Sequence, residues 1–225
     1  MTETIFVPGS RDARGTLDRA RERDSDETQS SRCVVACPPH PRHGGSRSDQ
    51  RLTAMSDGLG SRGVDCLRFD YGAWDRGRGE RVDATAVVEW ARERYDSVAL
   101  FGYSFGAGVA LAAAARGANV DAVAAVAPPA SLGSQESRDS ETAASSGTVE
   151  TDVVAELREV PPDLRVGVFY GTRDHVVDAD AVAAVARESG HTVTEFDAGH
   201  FFVSRETAVA SAVVAFLLDQ ADASR

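Results

Sequence analysis

The chain has 225 residues, 42% of them apolar, which fits one α/β domain around a single core and calls for no second domain. Its 35 acidic and 24 basic residues give a formal charge of −11, which argues against nucleic acid as a partner. All the basic residues are arginine. Acid spread over the whole length, with Ala and Val dominating the apolar set, resembles proteins of a salt-rich, halophilic cytoplasm; a GC-rich genome also depletes lysine.

In chain order, the start MTETIFVPGSRD lacks the basic opening and apolar stretch of a secretory signal. The longest apolar runs are too short to cross a bilayer, so a cytoplasmic protein without membrane contact is expected. Ile5–Val7 and a weaker Thr16–Ala20 read as an N-terminal hairpin, followed by a strand at Cys33–Cys37. In an extended strand those two cysteines stand roughly 13 Å apart, beyond disulfide reach, and both read as core thiols. No CxxC or His-x-His spacing occurs, so neither a metal nor a cofactor is expected.

From there strands and helices alternate. Helical patterns fall at Asp49–Leu59, Val82–Glu93, Phe105–Arg116, Ala179–Glu188 and Thr207–Gln220; strand patterns fall at Val64–Phe69, Val98–Phe101, Ala122–Ala127, Arg165–Tyr170 and His191–Phe196. Such alternation predicts a mostly parallel central sheet with helices on both faces. One segment breaks the rhythm: Ser131–Asp152 is rich in Ser, Thr and acid, buries nothing, and is expected to be a flexible surface loop, with no large cap domain anywhere in the chain.

Between the strand pattern ending near Phe101 and the helix starting at Phe105 lies GYSFG, with Gly102, Ser104 and Gly106 in G-x-S-x-G spacing. A sharp strand-to-helix turn strains the serine backbone and exposes its hydroxyl, while the flanking glycines sit where strand and helix backbones nearly touch. A serine hydroxyl is a weak nucleophile at neutral pH, so catalysis requires a histidine base and an acid to orient it. Asp174 follows the strand that ends near Gly171, and His200 follows the last strand. Asp178 in the same loop is the alternative acid, less favoured because it lies farther from the strand. His175 adjoins the acid and is expected to cap the loop or face solvent; His191 opens a strand on the opposite sheet edge and is expected to be structural.

Two backbone amides should receive the developing negative charge. Phe105 supplies one at a helix N-terminus. The other comes from the loop CPPHPRHGGSRSDQ, where Pro38, Pro39 and Pro41 cannot donate; of His40, Arg42, His43, Gly44 and Gly45, the stiffened His40 amide is favoured. Tyr71, Trp74, Pro128 and Pro129 are candidate substrate contacts.

The segments PPHPRHGG, LRFDYGAWDRGRGE, GYSFGA, GTRDHVV and DAGHFF resemble those of small serine hydrolases of the α/β-hydrolase superfamily, in the lidless branch described as dienelactone-hydrolase-like or uncharacterised α/β-hydrolase proteins. The resemblance spans about residues 33 to 203. It implies an α/β-hydrolase fold and a Ser104, Asp174, His200 triad with oxyanion amides on His40 and Phe105. Pro38 stands where the branch's loop has its first histidine, and a serine replaces the cysteine of true dienelactone hydrolases. The expected activity is carboxylic ester cleavage through an acyl-enzyme, with a small-molecule ester as the partner. Thioesterase or acyltransferase chemistry and a non-catalytic binding module are the alternatives, and oligomeric state is left open.

Overall fold

In the computed structural model, which describes residues 2–9, 11–20, 30–133 and 151–219, six strands run parallel: β3 (Arg32–Cys37), β4 (Asp65–Asp70), β5 (Ser97–Tyr103), β6 (Ala122–Val126), β9 (Arg165–Gly171) and β10 (Thr192–Phe196). Two N-terminal strands, β1 (Thr2–Phe6) and β2 (Arg14–Asp18), form the expected hairpin and join antiparallel to β4. The sheet order is β1-β2-β4-β3-β5-β6-β9-β10. Central strands are buried along nearly their whole length, as in β6, AVAAV, because helices cover both faces. The edge strands β1 and β10 keep exposed positions.

Helices α2 (Arg78–Arg92), α3 (Phe105–Ala115), α4 (Val153–Arg158) and α5 (Ala179–Glu188) close one face, with Val87, Leu111, Leu157 and Val182 in its core. Helices α1 (Gln50–Gly60) and α6 (Glu206–Leu218) close the other through Leu52, Leu59, Val213 and Leu217. The chain runs from β3 outward to β4 and then returns to β5 before proceeding the other way. This reversal opens a crevice beyond the carboxyl ends of β3 and β5, the usual ligand position in open α/β sheets.

Every predicted strand and helix is present with small shifts at its ends; Gln220, the last residue of the expected final helix, lies outside the described residues. Most of the expected 131–152 loop, residues 134–150, also lies outside them. Its two ends are paired: β7 (Ser131–Leu132) runs antiparallel to β8 (Thr151–Asp152). Leu132 is fully buried where Gly77 and Gly108 leave room for it, since a Cβ at either glycine would lie 2.7 Å from its side chain. Helix α4 was not expected; Asp152 caps it by accepting from the Ala155 N–H at 2.9 Å, and Val153 and Leu157 bury its one apolar stripe. Six residues, fewer than two turns, are too few to show a period in sequence. Among the described residues no helix is long and apolar enough to cross a membrane.

Candidate active site

Strand β5 ends at Tyr103 and α3 begins at Phe105, so Ser104 alone makes the turn, at φ +55° and ψ −122°. A non-glycine residue held there costs about 1–3 kcal/mol and needs its surroundings to fix it. The Ser104 N–H donates to the Val126 carbonyl at 2.8 Å, and the Ser104 carbonyl accepts from Ala107 at 2.9 Å. Gly102 and Gly106 make the turn possible. A Cβ on Gly102 would lie 2.2 Å from the Gly106 carbonyl oxygen, and one on Gly106 would lie 2.2 Å from that of Cys37.

The loops after β9 and β10 bring the two partners. Asp174 Oδ2 lies 2.7 Å from His200 Nδ1, and His200 Nε2 lies 3.1 Å from Ser104 Oγ. Both partner side chains are buried, at 3% and 4% exposure. Asp174 Oδ1 accepts from the backbone N–H groups of Val176 and Val177 at 2.9 and 3.1 Å. Burial alone would push the Asp174 carboxyl up, but the hydrogen bonds from His200, Val176 and Val177 prevail and hold it below its ordinary value. The two loops approach closely: the Arg173 N–H donates to the Ala198 carbonyl at 2.9 Å, and a Cβ on Gly171 would lie 2.4 Å from that same oxygen.

Of the alternatives, Asp178 caps α5, accepting from the Ala181 N–H at 3.2 Å. His175 is exposed, and His191 stands half-buried at the start of β10, its pKa lowered by burial.

On the β3 side the loop turns through a short 3-10 segment, Pro41–His43. His40 caps it: Nδ1 accepts from the Arg42 N–H at 3.2 Å, and the His40 carbonyl accepts from His43 and Gly45, both at 3.0 Å. His40 and Phe105 both line a cleft of about 660 Å³ that contains Ser104 and His200. Arg51, Val176, Phe201 and Pro129 line it as well. Tyr71, Trp74 and Pro128 do not. Tyr71 and Trp74 pack half-buried against Phe105, with ring centroids at 5.9 and 5.3 Å, and the Tyr71 hydroxyl donates to the Pro38 carbonyl at 3.1 Å. Pro128 is buried, and it is its neighbour Pro129 that lines the cleft. The sequence places these aromatics near the site but cannot show which side of Phe105 they occupy. Among the described residues, no group of three His, Cys, Asp or Glu side chains is placed to hold a metal ion.

A family model described as bacterial virulence protein (VirJ) matches residues 47–221, most of the chain and all of the Ser104, Asp174 and His200 segments. The chain belongs to the VirJ family. Curated proteins give no match. Solved structures resemble this VirJ-family chain over nearly its whole length. A lidless α/β serine hydrolase of Xanthomonas campestris is 24% identical, with a TM-score of 0.72 over 96% of this chain and 93% of its own. An α/β serine hydrolase homologue from Coxiella burnetii is also 24% identical, with a TM-score of 0.68 over 95% of each chain. An esterase of Pyrococcus furiosus is 17% identical, with a TM-score of 0.76 over 96% of this chain and 90% of its own. The fold is that of the α/β hydrolases.

One set of contacts in the VirJ-family chain escaped sequence reasoning. Tyr103, next to Ser104, is buried and donates its hydroxyl to the His200 carbonyl at 2.7 Å. The Arg51 guanidinium lies 4.2 Å over the Tyr103 ring and is held by both oxygens of Asp49 at 2.8 and 2.6 Å. Burial raises the Tyr103 hydroxyl to about 12, so it remains a donor. The only sequence signal was a tyrosine inside the G-x-S-x-G motif, which names no partner.

Proposed function

We propose that the chain is a serine hydrolase that cleaves a small or exposed carboxylic ester through an acyl-enzyme. The observation that carries this reading is the line from Ser104 Oγ through the His200 ring to Asp174, at 3.1 and 2.7 Å, opening on the cleft. His200 Nε2 takes the Ser104 proton as Oγ attacks the ester carbonyl, and the Phe105 and His40 amides hold the resulting oxyanion. Collapse of the tetrahedral intermediate breaks the C–O bond, and His200 returns the proton to the departing alcohol. Water then repeats the sequence on the acyl-Ser104, releasing the acid. Asp174 holds the imidazole in register and stabilises its charged form. Placement of Phe105 as the first residue of α3 supports its role, because free N–H groups and the helix dipole converge there. The esterase and serine hydrolases among the structural relatives agree with this chemistry.

Labelling with a fluorophosphonate probe tests the reading. An adduct mapped to Ser104 by mass spectrometry, and lost in Ser104→Ala, is expected; a folded chain that forms no adduct would leave a binding module as the better account. Turnover of matched ester and thioester pairs then separates esterase from thioesterase, and added alcohol reveals acyl transfer.

A further inference from the structure

We propose that the ester this cleft takes carries a planar aromatic ring, held against His43 beside Ser104; this rests on the hydrolase reading and names its substrate class. Strand order sets the cleft walls. The loop after β3 lies on one side of the β5 turn, and the loops after β9 and β10 lie on the other.

On the β3-side wall the rings of His43 and His40 stack, 18° apart in plane with centroids at 4.3 Å. Trp74, outside the cleft, and Phe105 support His40 with tilted rings, at 38° and 57° with centroids at 4.5 and 4.9 Å. His43 is its exposed end and lines the cleft. Burial first, then unfavourable electrostatics with its neighbours His43 and Arg42, brings His40 down to about 4, so at neutral pH its ring is uncharged rather than an imidazolium seeking water.

The opposite wall is apolar, with Val176 and Phe201 at 50% and 59% exposure. Lining the cleft that contains Ser104, these two side chains offer a ligand apolar surface to cover. The charged lining groups are already engaged, Asp49 with Arg51 in a two-bond fork and Asp178 with the Ala181 N–H. Recognition therefore falls to ring faces and apolar edges. A planar ring laid on His43 gains offset stacking that a saturated ring of the same size cannot, worth roughly two- to tenfold in binding.

Two ester pairs matched in size test this, with each enzymatic rate divided by that of the same ester in alkaline hydrolysis so that intrinsic reactivity cancels: benzyl against cyclohexylmethyl acetate, and methyl phenylacetate against methyl cyclohexylacetate. We expect the aromatic member of at least one pair to be favoured roughly two- to tenfold in kcat/KM, with the preference lost in His43→Ala and kept in His43→Phe. The pair that discriminates tells whether the ring sits on the alcohol or the acyl side. Equal rates within both pairs, or a preference that survives His43→Ala, would overturn the proposal. Saturation-transfer NMR of the same acetates on Ser104→Ala needs no turnover. Selective binding of benzyl acetate by that variant, with no ester turned over by the wild-type chain, would keep the ring site and sink the hydrolase reading; turnover by the wild type without discrimination would do the reverse.

Discussion

Replacing Gly106 by alanine adds one methyl group where α3 meets the end of β3. That carbon would lie 2.2 Å from the Cys37 carbonyl oxygen and 2.5 Å from that of Pro38. Both are backbone atoms, so no side chain can swing aside. Restoring ordinary contact requires the elbow and the loop leading to His40 to part by about 1 Å, and misplacement on that scale costs about 10²-fold in rate. Overpacking costs about 1–3 kcal/mol, against a helix-propensity gain of at most about 1 kcal/mol for alanine over glycine. A net loss of about 1–2 kcal/mol lowers Tm by roughly 2–8 °C in a chain of this size. The assay is the second-order rate of fluorophosphonate labelling, read beside a thermal melt. Gly117→Ala is the control: Gly117 has φ +87° and no atom within 4 Å of its added carbon, so only the left-handed backbone is strained, at about 1–2 kcal/mol. Similar Tm losses are expected for the two variants, with labelling lost only in Gly106→Ala. A folded Gly106→Ala chain labelled at the wild-type rate would refute the close-approach argument.

Asp174→Asn should lower kcat by about 10⁴-fold in an ester assay, because the imidazole loses the acceptor that sets its tautomer. Since the folded Asp174 carboxyl sits below its ordinary value, its stabilising contribution is present above that value, about 3.9, and is lost as pH falls through the folded one. The gap between wild type and Asp174→Asn in urea melts should therefore close on acidification below about pH 4, and a constant gap would contradict the assignment. Tyr103→Phe leaves the His200 carbonyl without its donor. It should cost about 1–3 kcal/mol in stability and reduce kcat with KM unchanged, whereas an equal fall in both constants would argue against a positioning role. Asp83 is fully buried and accepts from the Arg11 N–H, the Arg11 guanidinium and the Gly72 N–H, at 3.0, 2.9 and 3.0 Å. Asp83→Ala should destabilise by about 3 kcal/mol and shift the fluorescence of Trp74 two residues along; an unshifted spectrum would show that this loop is held by other means. With a charge of −11, the chain should lose Tm on transfer from molar salt to dilute buffer, where carboxylates repel unscreened, and a Tm independent of salt would reject salt adaptation.

Much of the site was legible because it depends on local chemistry. Gly102 and Gly106 announce a turn with no room for Cβ atoms, and Asp174 and His200 each follow a strand whose apolar run is unmistakable. In a parallel sheet those positions fall on one edge, so chain order alone brought three side chains near one another. The choice of Asp174 over Asp178 was less secure in sequence, since both lie in the β9–α5 loop. The fold separates them: the turn closed by the Asp174 N–H on the Gly171 carbonyl aims one carboxylate at His200, while the other is taken up in capping α5.

Other features could not be read ahead. Tyr71 and Trp74 follow the carboxyl end of β4, on the sheet edge that carries the site, yet strand order and the packing of α2 put them behind Phe105 rather than in the cleft. Leu132 lies in a polar stretch and becomes core because two glycines far apart in sequence leave a notch for it. By itself the sequence determined the alternation of strand and helix, the strained serine turn and the chain order of Ser104, Asp174 and His200, because period and steric demand act over a few residues. Only the tertiary structure decided which acid meets His200, what anchors its main chain and which rings face the cleft, because those contacts join segments as many as 97 residues apart whose spacing is set by sheet register and helix packing.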